Sequence, residues 1–338
     1  MESLFQSVAF LRALQKPDKK ILPKSIELSM NDQRFAADRY EGEVTTKGTI
    51  LFVHGMTPYG YRDPRMQDLG RAAAMCGYRA VIPNFPRIQQ GLIETASIEE
   101  IIKVIQCVTD DYDLAPSGTV GIFTASFSGS ICIRAIAQDS VRDRVKALLI
   151  IGGCNNPSAC FGDILREPSR DRYAKLILVK NFAKAVVEAD IVLGRALSCA
   201  IEDAYQNGHK SNAYENYVAH LSHGERDRVT QFIRPIFKQG VLQVAHYDRE
   251  IKGLHEAFMR WSNVSNIAAR VVLVHSVSDN VISPAESQAL FKELQSHGVD
   301  ARLVITPLLD HANFKFRPKY IIDLCRLLKA FNDFFLVL

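Results

Sequence analysis

Apolar residues along the chain recur at two alternating spacings, one of strands and one of helices. Near the start, Leu4, Phe5, Val8, Leu11 and Leu14 fall on one face of a predicted helix within residues 1–22. Two short β-patterned runs follow, SIELSM from Ser25 and RFAADRY from Arg34, and then a buried-type strand at Gly48–Val53. Asp63 and Pro64 supply an N-cap and a first helical residue for a helix through about Met75, ended at Gly77. Strands are predicted at Arg79–Ile82, Thr119–Phe123 and Ala147–Ile151, with helices at Ile98–Val108 and Ser128–Ala137 between them.

The alternation stops at about Asn155, and the pattern is helical from there to about Ala268. It then resumes with strand Arg270–His275, helix Pro284–His297, strand Ala301–Ile305 and helix Pro318–Phe335. Strands alternating with helices imply right-handed crossovers and a mainly parallel, doubly wound α/β sheet covered on both faces. The expected organisation is an N-terminal helical segment at 1–22, a core at 23–155 and 269–338, and a helical cap at 156–268 inserted between two strands.

Composition narrows the function classes. With 338 residues, 47% of them hydrophobic, the chain can bury a large core and is neither disordered nor collagen-like. Its 41 basic and 37 acidic residues are scattered, which argues against a nucleic-acid partner. Seven cysteines with no CxxC pair read as reduced thiols of a cytoplasmic protein. No run approaches the ~18 apolar residues of a membrane span. Glu2 and the missing basic n-region argue against a secretory signal. The first helix is expected to pack on the body, with a homodimer arm or a membrane-surface contact as alternatives.

Three segments carry candidate chemistry, each where a predicted strand ends. In Val120–Ser130 an apolar strand runs through small residues straight into a helix, the context of a nucleophile elbow. With Ser126 as nucleophile, the positions two before and two after it are Thr124 and Ser128, and Gly129 allows close helix packing. The register shifted by two makes Ser128 the nucleophile, flanked by Ser126 and Ser130. Small residues serving only tight strand–helix packing are the third reading. After Arg270–His275 comes a loop carrying Asp279, suited to orient an imidazole or merely to cap a turn. After Ala301–Ile305 comes His311. Serine, then aspartate, then histidine, each beyond a parallel strand, is the chain order of one triad-bearing fold. All three would lie at the carboxyl edge of the sheet, where open α/β sheets bind ligands.

These segments together resemble the α/β-hydrolase superfamily with a helical cap. Leu51–Met56 resembles its His-Gly motif after an early strand, and Gly77–Pro83 its following strand; Thr124 and Ser128 stand where the family has glycines. The resemblance covers about Gly48–Ile151 and Arg270–Leu338. It implies that Ser126 attacks an acyl carbonyl, that His311 carries the proton, and that Asp279 orients His311. It implies an oxyanion hole from the backbone N–H groups of Met56 and Phe127, whose side chains could wall an acyl pocket. His54, Gly55, Thr124, Ser128 and Gly129 are then structural elements of the elbow and its neighbouring loop. The implied function is a hydrolase acting on a small-molecule carboxylic ester or thioester, with no metal and no cofactor. Acyl transfer to another acceptor and a catalytically silent binding protein are the alternatives.

Other candidates carry less. His220 and His223 are three apart and could share a helix face, and His209 lies nearby, but no acidic or cysteine partner completes a metal set. Asp310 could compete with Asp279 as the acid. Asn155 and Asn156 follow a strand where some relatives carry that acid, but as amides they hold no charge. Tyr59, Tyr61 and Arg62 could line an entrance or fix their own loop. Neither G-x-G-x-x-G nor a P-loop is present.

Overall fold

The computed structural model describes residues 2–30, 32–42, 46–205, 212–238, 247–310, 313–314 and 320–338. The chain falls into two compact units, Met1–Asn155 with Phe258–Leu338, and Asn156–Ala257.

The first unit is built on eight strands: β1 (Lys24–Met30), β2 (Gln33–Tyr40), β3 (Thr49–Val53), β4 (Arg79–Pro83), β5 (Val120–Ala125), β6 (Val145–Ile151), β7 (Arg270–Ser276) and β8 (Ala301–Thr306). They form one sheet in the order β1-β2-β4-β3-β5-β6-β7-β8. From β4 to β8 every neighbouring pair is parallel. The two early β-patterned runs pair with each other antiparallel, and β2 runs antiparallel to β4. The connection between them is too short for a crossover, so it can only make a hairpin. Two residues each form a small ladder, β9 (Leu309–Asp310) with β10 (Asn313–Phe314).

The central strands are continuous apolar runs because both faces of the sheet are covered. Helix α1 (Glu2–Gln15) comes first, and α2 (Pro64–Met75) starts where Asp63 accepts the Arg65 N–H. It ends as expected at Gly77, whose φ of 83° suits glycine. Then come α3 (Pro86–Gln89), α4 (Ala96–Asp110) and α5 (Phe127–Ile136). The four-residue α3 is too short to show a period and had no counterpart in the sequence pattern.

The buried face of α1 differs from the expected stripe. Ser7, Phe10 and Ala13 are buried, Leu11 and Leu14 pack beside them, and Phe5 is 75% exposed. Small Ser7 and Ala13 let the helix sit close, so the face centres on Phe10 rather than on Phe5 and Val8. The helix does pack on its own chain, beside α2 and the last helix, described below.

The second unit is helical: α6 (Pro157–Arg166), α7 (Arg172–Phe182), α8 (Lys184–Ala189), α9 (Ile191–Tyr205), α10 (Ala213–Ala219), α11 (His223–Lys238) and α12 (Asp248–Met259), whose last two residues belong to the first unit. Its core gathers around α9, which packs on α7, α10 and α11 through Leu193, Ala196, Leu197 and Ala200. After it the chain re-enters the sheet and adds α13 (Pro284–Ser296) and α14 (Ile321–Phe335). Among the described residues no helix is long and apolar enough to cross a membrane. Among the described residues no cysteine is in a disulfide, and burial pushes the Cys132 thiol up to about 12.

Candidate active site

Strand β5 ends at Ala125 and α5 begins at Phe127, leaving Ser126 alone at the joint. Its backbone is fixed on both sides. The Ser126 N–H donates to Ile151 O at 2.8 Å, continuing the pairing with β6, and its C=O accepts from Gly129 N–H at 3.0 Å. Turning from strand to helix within one residue forces φ to 59° and ψ to −145°. Ser126 is the one non-glycine residue at positive φ among the described residues. Such a conformation costs about 1–3 kcal/mol and persists only where the surroundings impose it. The half-buried Ser126 hydroxyl makes no cap bond to its own helix.

Ser128, the other candidate, sits inside α5. It is fully buried and its Oγ donates to His54 O at 2.8 Å. Thr124 is buried beside the Cys132 thiol. Gly129 answers to crowding, since a Cβ there would come within 2.4 Å of Ile150 Cγ2 on β6. The Phe127 ring is buried against Phe258, with ring centroids 5.6 Å apart.

The loop after β3 lies beside the elbow because Val53 pairs with Thr124. His54 holds it. Gly55 O can only accept, so Nδ1 of His54 carries the proton and donates to it at 2.9 Å, while Nε2 accepts the Phe85 N–H at 3.1 Å. A neutral ring is therefore clamped between the loop and the end of β4. A Cβ on Gly55 would meet only Ala125 O, at 3.8 Å, so that residue contributes its carbonyl rather than its small size. Beyond the half-buried Met56, Thr57 Oγ1 donates to Asp63 Oδ2 at 2.8 Å, and Arg65 also pairs with Asp63, which ties the loop to the start of α2.

Burial lowers the His54 pKa from 6.5 to about 4 against the weaker opposing pull of the Gly55 carbonyl and Asp63. The sign follows from linkage. The unfolded chain takes up a proton at pH values where the folded ring stays neutral, so stability is lost as the pH falls from 6.5 towards 4. The loss should approach about 3 kcal/mol from this residue alone. Urea unfolding at several pH values should show that His54→Gln, which keeps an acceptor for Phe85, flattens this acid limb. An unchanged limb would refute it.

Asp279 is buried in the loop between β7 and α13. Its Oδ1 accepts the N–H groups of Val281 and Ile282 at 2.8 and 2.9 Å, so it does cap its turn. Its Oδ2 lies 3.3 Å from Nε2 of His275, a buried residue of β7 to which sequence reasoning had given no role. Its Nδ1 lies 2.7 Å from Ser287 Oγ on α13. Nearby, Glu286 accepts the Asn155 N–H at 3.0 Å and so joins α13 to the end of β6.

Residues His311 and His209 lie outside the described residues. Asp310 ends β9, and its backbone pairs with Asn313. Asn156 is the N-cap of α6, accepting from Ser158 and Ala159. His220 follows the end of α10 whereas His223 opens α11, so the two do not share one helix face as the spacing had suggested. Arg62 stacks over Tyr61 at 5.2 Å, and Tyr59 is exposed. No metal-ligating cluster occurs among the described residues.

No curated protein matches the chain. The prolyl oligopeptidase family model matches residues 235–334, from α11 through most of α14, a stretch that includes Asp279 and His311. Among solved structures, a Pyrobaculum calidifontis esterase superposes with a TM-score of 0.55 at 14% identity, covering 100% of this chain and 92% of that one. A Mycobacterium tuberculosis puromycin-hydrolyzing peptidase gives 0.55 at 16% identity, covering 93% of this chain and 39% of that one. A Pyrococcus horikoshii acylaminoacyl peptidase gives 0.51 at 15%, covering 86% and 38%. The chain thus spans about two fifths of the length of either peptidase. Strand order, elbow and structural likeness define an α/β-hydrolase fold.

Proposed function

We propose that this protein is a serine hydrolase that cleaves a small carboxylic ester or thioester through an acyl-enzyme on Ser126. The observation that carries the reading is the backbone of Ser126, a strained serine held between a parallel strand and the first turn of a helix. In the proposed cycle Ser126 Oγ attacks the acyl carbon and His311 accepts its proton. The oxyanion forms against the backbone N–H groups of Met56 and Phe127, the latter at the N-terminus of α5, where the helix dipole adds to the stabilisation. Collapse breaks the bond to the alcohol or thiol, which takes the proton from His311. Water, deprotonated by the same imidazole, then releases the acid. Asp279 holds His311 in its Nδ1–H tautomer and stabilises the imidazolium. Every reacting group is a side chain or a main-chain amide, so the cycle needs no metal or organic cofactor.

The test is a fluorophosphonate probe followed by mapping of the adduct by mass spectrometry. Labelling should fall on Ser126, vanish in Ser126→Ala and persist in Ser128→Ala. An adduct lost only in Ser128→Ala would reverse the register, and an unreactive native protein would favour a silent binding protein. A series of p-nitrophenyl esters of rising acyl length, run beside peptide p-nitroanilides and added alcohol or amine acceptors, separates esterase from peptidase and from acyltransferase. The peptide arm answers to the prolyl oligopeptidase match over residues 235–334.

A further inference from the structure

One hydroxyl joins the loop that carries Asp279 to the short strand that precedes His311. Strand β7 ends in two fully buried polar residues, His275 and Ser276. Successive side chains of a strand point to opposite faces. His275 turns to the α13 side, where Nε2 donates to Ile282 O at 3.0 Å and Nδ1 lies 2.7 Å from Ser287 Oγ. Ser276 turns to the other side, and its Oγ donates to Leu309 O at 2.8 Å. The same Oγ accepts the Ser278 N–H at 3.2 Å. Ser278 immediately precedes Asp279, and Leu309 lies in β9, two positions before His311. The bridge extends the paired ends of β7 and β8, where Ser276 lies opposite Thr306 and the Val277 N–H donates to Thr306 O at 3.1 Å.

From this geometry we infer that Ser276 is a positioning residue, whose hydroxyl sets the strand leading to His311 against the loop bearing Asp279. This rests on the proposed reading of Asp279 and His311 as acid and base. The carbonyl that Ser276 holds belongs to the planar peptide unit between Leu309 and Asp310. The buried Leu309 side chain fixes where the chain passes, but rotation of that plane would still redirect the residues that follow. A bond to the oxygen resists the rotation, and at a residue only 1% exposed bulk water cannot replace it. On the other side, the Ser278 N–H ties down the start of a loop whose far half Asp279 caps through Val281 and Ile282. The one proton of the Ser276 hydroxyl is committed to Leu309 O, so its effect on the chemistry passes through the two main-chain segments that it joins.

The test compares fluorophosphonate labelling rates of folded variants, with urea midpoints measured beside them. Ser276→Ala should label roughly tenfold more slowly than the native protein, because small misplacements of catalytic groups have effects of that size. Ser276→Cys, with a weaker donor in a similar shape, should fall between the two. Ser276→Thr and Ser276→Val match each other in shape and differ in the hydroxyl, so the threonine variant should label several-fold faster. A hydroxyl that serves stability alone would lower the urea midpoint and leave these rates unchanged. Native-rate labelling by Ser276→Ala therefore overturns the inference, as do equal rates for the threonine and valine variants. If Ser276→Ala does not fold, the cysteine variant and the threonine–valine pair decide. In an Asp279→Asn background Ser276→Ala should have much less effect, and the same fold-loss in both backgrounds would reduce Ser276 to packing and overturn its role. If Asp279→Asn itself labels at the native rate, the assignment of the acid fails and this inference goes with it. A native protein that does not label at all places the failure in the proposed function.

Discussion

Ser126→Gly should unfold at higher urea than the native protein while losing about 10⁴-fold or more of the hydrolysis proposed above. The two effects have one origin. At φ 59° and ψ −145° a side chain crowds its own backbone, and glycine has no Cβ to crowd. Relief of about 1–3 kcal/mol is partly offset by the extra entropy glycine has in the unfolded chain, leaving a net gain of about 1 kcal/mol. Ser126→Ala separates strain from chemistry. It removes the same hydroxyl and so the same activity, but it keeps the Cβ and should gain little stability. The expected order in urea is therefore glycine first, with alanine close to native, both inert towards p-nitrophenyl acetate. A glycine variant no more stable than the alanine variant would mean that the elbow is not strained. Retained turnover in both would remove Ser126 from the chemistry.

The fold was legible because its signal is coarse. A strand buried on both faces must be apolar throughout, and β3, β5, β6 and β7 each stand out as such a run within a residue or two of their observed ends. The face of α1 was not legible, because the pattern counts large apolar residues whereas the packing turned on where Ser7 and Ala13 permit close approach. The site divides in the same way. Chain order alone picked out the segments around Ser126, Asp279 and residue 311. Composition does not separate Ser126 from Ser128, both small residues near a strand–helix joint, and it is the distance from the end of the Val120–Phe123 run that favours Ser126. Backbone geometry distinguishes them: residue 126 holds the joint, and residue 128 is committed to His54. His275 left one trace in the sequence, a polar residue continuing an apolar parallel strand. Such a residue needs buried partners, and its partners Ser287 and Ile282 lie in a part of the chain that no periodicity connects to it.

Phe10→Ala should lower global stability by about 3–5 kcal/mol, the range for deleting a buried phenyl ring from a packed core. Phe10 is fully buried, with ring centroids 6.4 Å from Phe123 of β5 and 5.7 and 5.2 Å from Phe331 and Phe335 of α14. It therefore touches the strand that leads into the elbow and the helix covering that face of the sheet. Tyr78 extends the cluster by stacking on Phe335 at 5.0 Å while its hydroxyl donates to Gln6 on α1. A helix of 14 residues is marginal alone in water, so α1 owes its existence to these contacts. Phe5→Ala is the matched control, with a ring of the same size on the same helix but 75% exposed. It should shift stability by less than about 0.5 kcal/mol. Urea unfolding of both variants at a range of protein concentrations settles how α1 is used. The Phe10 loss should be independent of concentration if the helix serves its own chain. If Phe5→Ala is instead the more damaging change, and the damage grows on dilution, α1 is an arm that reaches a second copy.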